Sequence, residues 1–244
     1  MSVEGPRIVL KILIGDYTLY VTETIVNSFI VVALLSLLAV WLGSGLKKNP
    51  DSKKQAFAEM FVSFMNKLTD ENLGAGCRIY APYLAGLFLF IFIGAIIGLV
   101  GLRGIPSDIS VTATLALMTA CMIFYNSVKS NTFVGHFKGL ASPPFMLALN
   151  ILGEFTTPAS MAIRLFGNVS SGSIITALIY AALTGASVAV YKLLGMAFDT
   201  YYFNIFQVGV PAVLSIYFDL FAGCVQAYVF INLTMAYIRN AGSD

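Results

Sequence analysis

Apolar residues gather in five long blocks, at residues 25–43, 79–102, 110–129, 143–196 and 203–239. A bilayer-crossing α-helix needs ~20 such residues, so each block predicts a span. The last two are far longer than a perpendicular crossing requires and predict tilted or interrupted helices. Residues 55–74 follow a different rhythm. There Phe57, Met60, Phe61, Phe64, Met65 and Leu68 recur at helical spacing, while Gln55, Glu59, Ser63, Asn66 and Lys67 fill much of the other face. That pattern predicts an amphipathic helix lying in the membrane interface. The fold class expected is therefore an all-α integral membrane protein. It forms a single membrane domain over residues 1–244, with about five spanning helices and one interfacial helix.

Turn chemistry falls between the blocks. Residues 101–108 read GLRGIPSD, 135–144 read GHFKGLASPP, and the aromatic, polar 198–204 reads FDTYYFN. Glycine and proline break helices, and Asp108 is placed to cap the next one. Charge then orients the layout. With the N-terminus outside, nine basic residues (Lys47, Lys48, Lys53, Lys54, Lys67, Arg78, Lys129, Lys138, Arg239) face the cytoplasm, against four outside (Arg7, Lys11, Arg103, Lys192). This positive-inside bias predicts a cytoplasmic C-terminus and suits a bacterial plasma membrane. The basic cluster Lys47, Lys48, Lys53 and Lys54 follows the first apolar block, the reverse of the order expected in a cleaved signal.

Composition narrows the function classes. The chain is 58% hydrophobic and only 11% charged, where soluble domains carry about 25% charged residues. A net charge of +2 and the lack of a basic run argue against nucleic acid. Cys77, Cys121 and Cys224 form no CxxC, so neither a disulfide framework nor a zinc site is implied, and no cofactor is expected. His136 falls in a loop and reads as a solvated side chain.

Away from the ends of the predicted spans, three charged residues remain: Glu154, Arg164 and Asp219. Such a group costs roughly 2.5 to 3.5 kcal/mol at a helix centre, so its presence needs a reason. Arg164, Asn168 and Ser171 share one helical face, a stripe that lipid would not tolerate. The arginine either ties helices together through carbonyls or faces a hydrated ion path. Asp219 and Gln226, seven residues apart, offer a matching face on the last span, with Gly223 and Phe230 continuing the stripe.

The run from Thr157 to Asn168, TPASMAIRLFGN, and the later Gln226-Ala227-Tyr228-Val229-Phe230 resemble the signature of subunit a of F-type ATP synthases. The segments 102–108, 111–117 and 139–144 look similar too, so the likeness covers most of the chain from about Ile79 onward. The resemblance implies an ion-conducting stator subunit of the Fo sector, not itself an enzyme, that couples H+ or Na+ flow through two half-channels to rotation of a c-ring. Its partners would be the c-ring subunits, the b subunits of the peripheral stalk and, indirectly, F1. Arg164 would be the stator arginine, facing the ionisable carboxylate of each c subunit, and Gln226 would lie opposite it. Asp219 occupies a place where the family carries His or Glu. Ser173 departs from the family, many of whose members have Glu nine residues after the arginine. Asp219 then serves alone with water and hydroxyls, or Glu154 assists.

Two other classes fit less of the chain. A secondary ion-coupled transporter with a midplane polar site predicts paired interrupted segments in two halves; the chain has no such pair. An intramembrane enzyme wants a nucleophile with a base, or metal ligands on spans. No Walker A motif occurs, so nucleotide chemistry would belong to partner chains.

Overall fold

The computed structural model describes residues 8–14, 17–44, 52–74, 76–100, 102–131, 145, 147–193, 213 and 216–243. The 135–144 and 198–204 connections, His136, Lys47, Lys48 and Lys138 lie outside the described residues.

A β-hairpin opens the described chain, with β1 (Ile8–Ile14) antiparallel to β2 (Tyr17–Thr22). The remaining elements are helical: α1 (Glu23–Gly43), α2 (Lys53–Leu73), α3 (Ala81–Ile96), α4 (Ile109–Asn131), α5 (Leu147–Leu193) and α6 (Gly223–Ser243). A short 3-10 turn at Arg78–Tyr80 leads into α3, and another at Ile105–Ser107 precedes α4. A π-helical stretch, Ile216–Ala222, runs directly into α6. Among the described residues, five helical segments are long and apolar enough to cross a membrane: Glu23–Gly43, Arg78–Ile96, Ile109–Lys129, Ala148–Leu193 and Ile216–Ala241. The chain is an α-helical integral membrane protein. The hairpin is its one departure from an all-α description among the described residues, and hydropathy blocks alone did not predict it.

Helix α6 is the axis of the bundle. Ala227, Phe230, Ile231, Thr234, Met235 and Ile238 are all fully buried, and their spacing traces one continuous helical face. Against it pack Met65 and Leu68 of α2, Leu84, Leu87 and Ile91 of α3, Ala116 of α4, and Met161, Ala162 and Leu165 of α5. The amphipathic α2 thus turns Met65 and Leu68 to the protein, while Phe57, Met60 and Phe64 on the same helix stay exposed. Exposed apolar side chains on α1, such as Phe29, Leu37 and Trp41, are ordinary for a helix whose solvent is lipid.

Partly buried polar side chains tie the helices to one another. The Thr24 hydroxyl donates to Asp108 Oδ2 at 2.8 Å, and Asn27 Nδ2 donates to the Arg103 carbonyl at 3.1 Å. Asp108 also accepts the Ser110 N–H at 3.0 Å, so it caps α4 and holds α1 together. At the other end, Tyr80 donates to Asn126 at 2.8 Å and Asn126 Nδ2 donates to the Ile238 carbonyl at 3.0 Å, joining α3, α4 and α6.

Helix α5 runs unbroken for 47 residues. At 1.5 Å per residue it is ~70 Å long, against about 40–45 Å for a bilayer with its headgroups. It fits within the membrane only when steeply inclined. Pro158 lies inside it and removes the N–H that would bond the Glu154 carbonyl; neighbouring Thr157 caps the Gly153 carbonyl at 2.9 Å with its hydroxyl.

Candidate functional site: an arginine between two grooves

Arg164 projects from an exposed face of α5, and its neighbours along that face are polar. Toward the C-terminal side, an open groove of about 560 Å³ is lined by Arg164, Gly167, Asn168 and Ser171 of α5, by Tyr217, Phe221 and Ala222 of the π-helical stretch, and by Gln226 of α6. Toward the N-terminal side, a second open groove of about 570 Å³ is lined by Phe155, Thr156, Ala159, Ser160, Ile163 and Arg164. Ile163 and Arg164 are the residues common to both. No carboxylate among the described residues pairs with Arg164. Its guanidinium offers five N–H donors in a fixed planar fork and no acceptor.

Asn168 links the two helices that frame the first groove. Its Nδ2 stands 3.4 Å from the Ala222 carbonyl and 3.5 Å from Gln226 Oε1. These long contacts are weak singly, but they keep polar atoms of both helices directed to one place. Gln226 is 7% exposed, so its amide is largely withdrawn into the helix junction and only its edge lines the groove.

Two glycines permit this approach. A Cβ on Gly172 would lie 3.2 Å from Phe218 Cβ, and one on Gly223 would lie 2.8 Å from Ala95 Cβ. The π-helical stretch is therefore wedged between α5 and α3 with no room for larger residues at those points. Such a wide turn displaces the residues before it relative to a regular helix, and π turns gather at functional sites.

Among the six residues singled out from the sequence, the structure brings Arg164, Asn168 and Gln226 to one groove. Ser173 is exposed on α5 and bonds the Ser170 carbonyl at 2.8 Å; it does not line the groove. Nine residues at roughly 100° each place it half a turn away from Arg164. Glu154 is exposed and lines neither groove, ten residues or ~15 Å before Arg164 along α5. The backbone at Asp219 lies in the π-helical stretch. Tyr217, Phe221 and Gly167 were not singled out as lining residues. Gly167, three residues after Arg164, was readable from helical spacing, whereas the lining by Phe221 depends on the π turn. Among the described residues no cluster of three His, Cys, Asp or Glu side chains could hold a metal ion.

Comparison with known proteins matches residues 25–239 to the family model described as ATP synthase A chain. The chain is 33% identical to "ATP synthase subunit a, sodium ion specific" of Propionigenium modestum, over 94% of this chain and 77% of that protein. It is 31% identical to ATP synthase subunit a of Protochlamydia amoebophila, over 88% and 79% of the two chains, and 30% identical to that of Magnetococcus marinus, over 96% and 88%. The match carries Arg164, Asn168 and Gln226 within it. A multi-pass helical protein with these features belongs to the ATP synthase A chain family, the ion-translocating, non-catalytic subunit of the membrane sector of ATP synthase.

Proposed function

We propose that this chain forms two half-channels that meet at Arg164 and that the arginine faces the ionisable carboxylate of each passing c subunit. The observation that carries this reading is the position of Arg164 as the shared wall of two open grooves. A guanidinium at that wall cannot relay a proton, because it does not give one up. It can draw a carboxylate into the ionised form. A pair at 4 Å is worth about 4 kcal/mol at an effective dielectric near 20. That is enough to hold the ionised state and small enough to exchange when the next carboxylate arrives. Asn168 and Gln226 supply neutral amide dipoles beside the charge, and Ser171 with Tyr217 extends the polar lining. Asp219 acts as the acid of one path, with water and hydroxyls completing it. Glu154 and Ser173 stand apart from the grooves, so they serve at most the outer reaches of a path. The b subunits of the peripheral stalk and the c-ring are the partners, F1 being reached through them. The N-terminus faces outward and the C-terminus the cytoplasm, as the basic residues direct.

The test is Arg164→Lys in the reconstituted complex. An ammonium keeps the charge but loses the rigid planar fork, so ATP-driven ion pumping should fall by at least ~10-fold while ATP hydrolysis by F1 continues. Undiminished coupled pumping would remove Arg164 from this role.

One observation favours Na+ as the coupling ion: a relative 33% identical over nearly the whole chain is named sodium ion specific. The site supports it with amide and hydroxyl oxygens, the ligand types that suit a hard cation. ATP synthesis by the complex should then continue under a sodium gradient with a protonophore present. Collapse of synthesis under the protonophore, with the sodium gradient intact, would assign the proton instead.

A further inference from the structure

The hairpin that opens the described chain is poorly enclosed. Ile14 pairs with Tyr17, Leu13 with Thr18, Lys11 with Tyr20 and Leu10 with Val21. Alternation puts Leu13, Lys11 and Tyr20 on one face of the ribbon and Leu10 on the other. Leu13 is 77% exposed and Leu10 55%, so large apolar side chains stand uncovered on both faces. Beyond its own ladder the hairpin leans on α1 through β2. An isolated two-stranded hairpin is marginal in water at best, and this one has uncovered apolar surface on either side. Its surroundings must supply the missing contact.

The chain itself says what those surroundings are. Thr22 ends β2 and Glu23 begins α1, with no residue between. Helix α1 has 21 residues, which gives a length of about 31 Å against ~30 Å for the hydrocarbon layer. Its first residue therefore sits where acyl chains give way to headgroups, and the hairpin begins at that level. Among the described residues nothing pairs with the outer edges of its two strands, which disfavours a deeper position in dry hydrocarbon. Lys11 and Tyr20 fit the layer between: Lys11 Nζ lies 5.8 Å above the Tyr20 ring, and both side chains combine an apolar body with a polar tip.

We propose that residues Ile8 to Thr22 form a lipid-interface anchor, immersed in the headgroup layer at the Glu23 end of α1, with Leu10 and Leu13 reaching the acyl boundary and Lys11 among the lipid phosphates. The anchor fixes the level of α1. Through the Thr24–Asp108 and Asn27–Arg103 bonds it also sets the level of the turn between α3 and α4. That turn touches α5, where the space beside Gly104 is bounded by Val169 Cγ1 at 3.8 Å, five residues beyond Arg164.

A nitroxide placed at Leu13→Cys, and separately at Leu10→Cys, reads the depth directly. The whole ATP synthase complex, with its other reactive cysteines replaced, is reconstituted into vesicles of phosphatidylethanolamine and phosphatidylglycerol. Power-saturation electron paramagnetic resonance then compares collisions with dissolved oxygen and with a water-soluble nickel chelate. At both sites oxygen collisions should exceed nickel collisions by about threefold or more, as expected near the acyl boundary. A ratio reversed in favour of nickel would place the hairpin in water and overturn the proposal. Low collision rates with both agents would mean that a partner subunit or a second copy covers the hairpin, and would overturn it equally. Each label reports on its own face, so a variant that fails to assemble leaves the other to decide.

Discussion

Asn168 bridges two helices with one amide nitrogen, and that small link is where polarity enters the groove beside Arg164. Asn168→Leu would leave Gln226 Oε1 and the Ala222 carbonyl without this donor in a nearly closed junction. An unsatisfied buried polar group costs about 1–3 kcal/mol, so the expected result is weaker thermal stability of the assembled complex together with slower ATP-driven pumping. A melting curve and a pumping assay on the same preparation check both effects. Unchanged values in both would mean that the two contacts, at 3.4 and 3.5 Å, are incidental. Helical arithmetic from Arg164 led to Asn168 and Ser171 because α5 is regular there. The same arithmetic places Ser173 on the far side. Ser173 had been brought in by resemblance to a family pattern, and no spacing argument supported it.

At the scale of elements, the informative unit is the π-helical stretch before α6. Helix α6 was legible because six fully buried residues keep strict helical spacing from Ala227 to Ile238. The π turn was not, since no residue type commands it; the wide turn is a product of packing against α5 and α3. Gly172 and Gly223 are its visible traces: an added methyl would be tight against Phe218 at 3.2 Å and would clash with Ala95 at 2.8 Å. Gly223→Ala would force its new methyl against Ala95, a contact at 2.8 Å between backbone-fixed atoms. We expect the π-helical stretch to shift, with a loss of roughly 1–3 kcal/mol typical of overpacking and a larger loss of coupling than of assembly. Subunit incorporation measured beside ATP-driven pumping separates the two. A double change, Gly223→Ala with Ala95→Gly, should restore both. The hairpin, by contrast, had a readable signal: two β-branched and aromatic runs, IVLKILI and YTLYVT, flank Gly15-Asp16, a common hairpin junction. Hydropathy blocks of ~20 residues are too coarse to register it.

Across the whole molecule, the helices are joined at their ends by polar contacts and along their lengths by the α6 seam. Helix α2 is held to the bundle by Met65 and Leu68 and, at the surface, by Arg78 Nη2 donating to Asp70 Oδ2 at 2.6 Å. The hydrogen bond from Arg78 and its charge keep the Asp70 carboxyl below the ordinary carboxylate value of 3.8. A lowered folded value means that the pair contributes in full above the ordinary value and is lost as pH falls through the lowered one. Hydrogen exchange at the C-terminal turn of α2 should therefore quicken as pH drops below the usual carboxylate range, after correction for intrinsic exchange. Asp70→Asn should show the quick rate at every pH. Equal protection in both proteins across the series would dismiss the pair as a clasp. If the two grooves are the half-channels proposed above and fill with water, each carries the potential of its own side of the membrane inward to Ile163 and Arg164. The transmembrane voltage then falls over the thin partition between them, on the order of 10 Å, and not over the ~30 Å of hydrocarbon. The work per charge is unchanged, about 2.3 kcal/mol for 100 mV. The field that a carboxylate meets in front of the arginine is about threefold steeper.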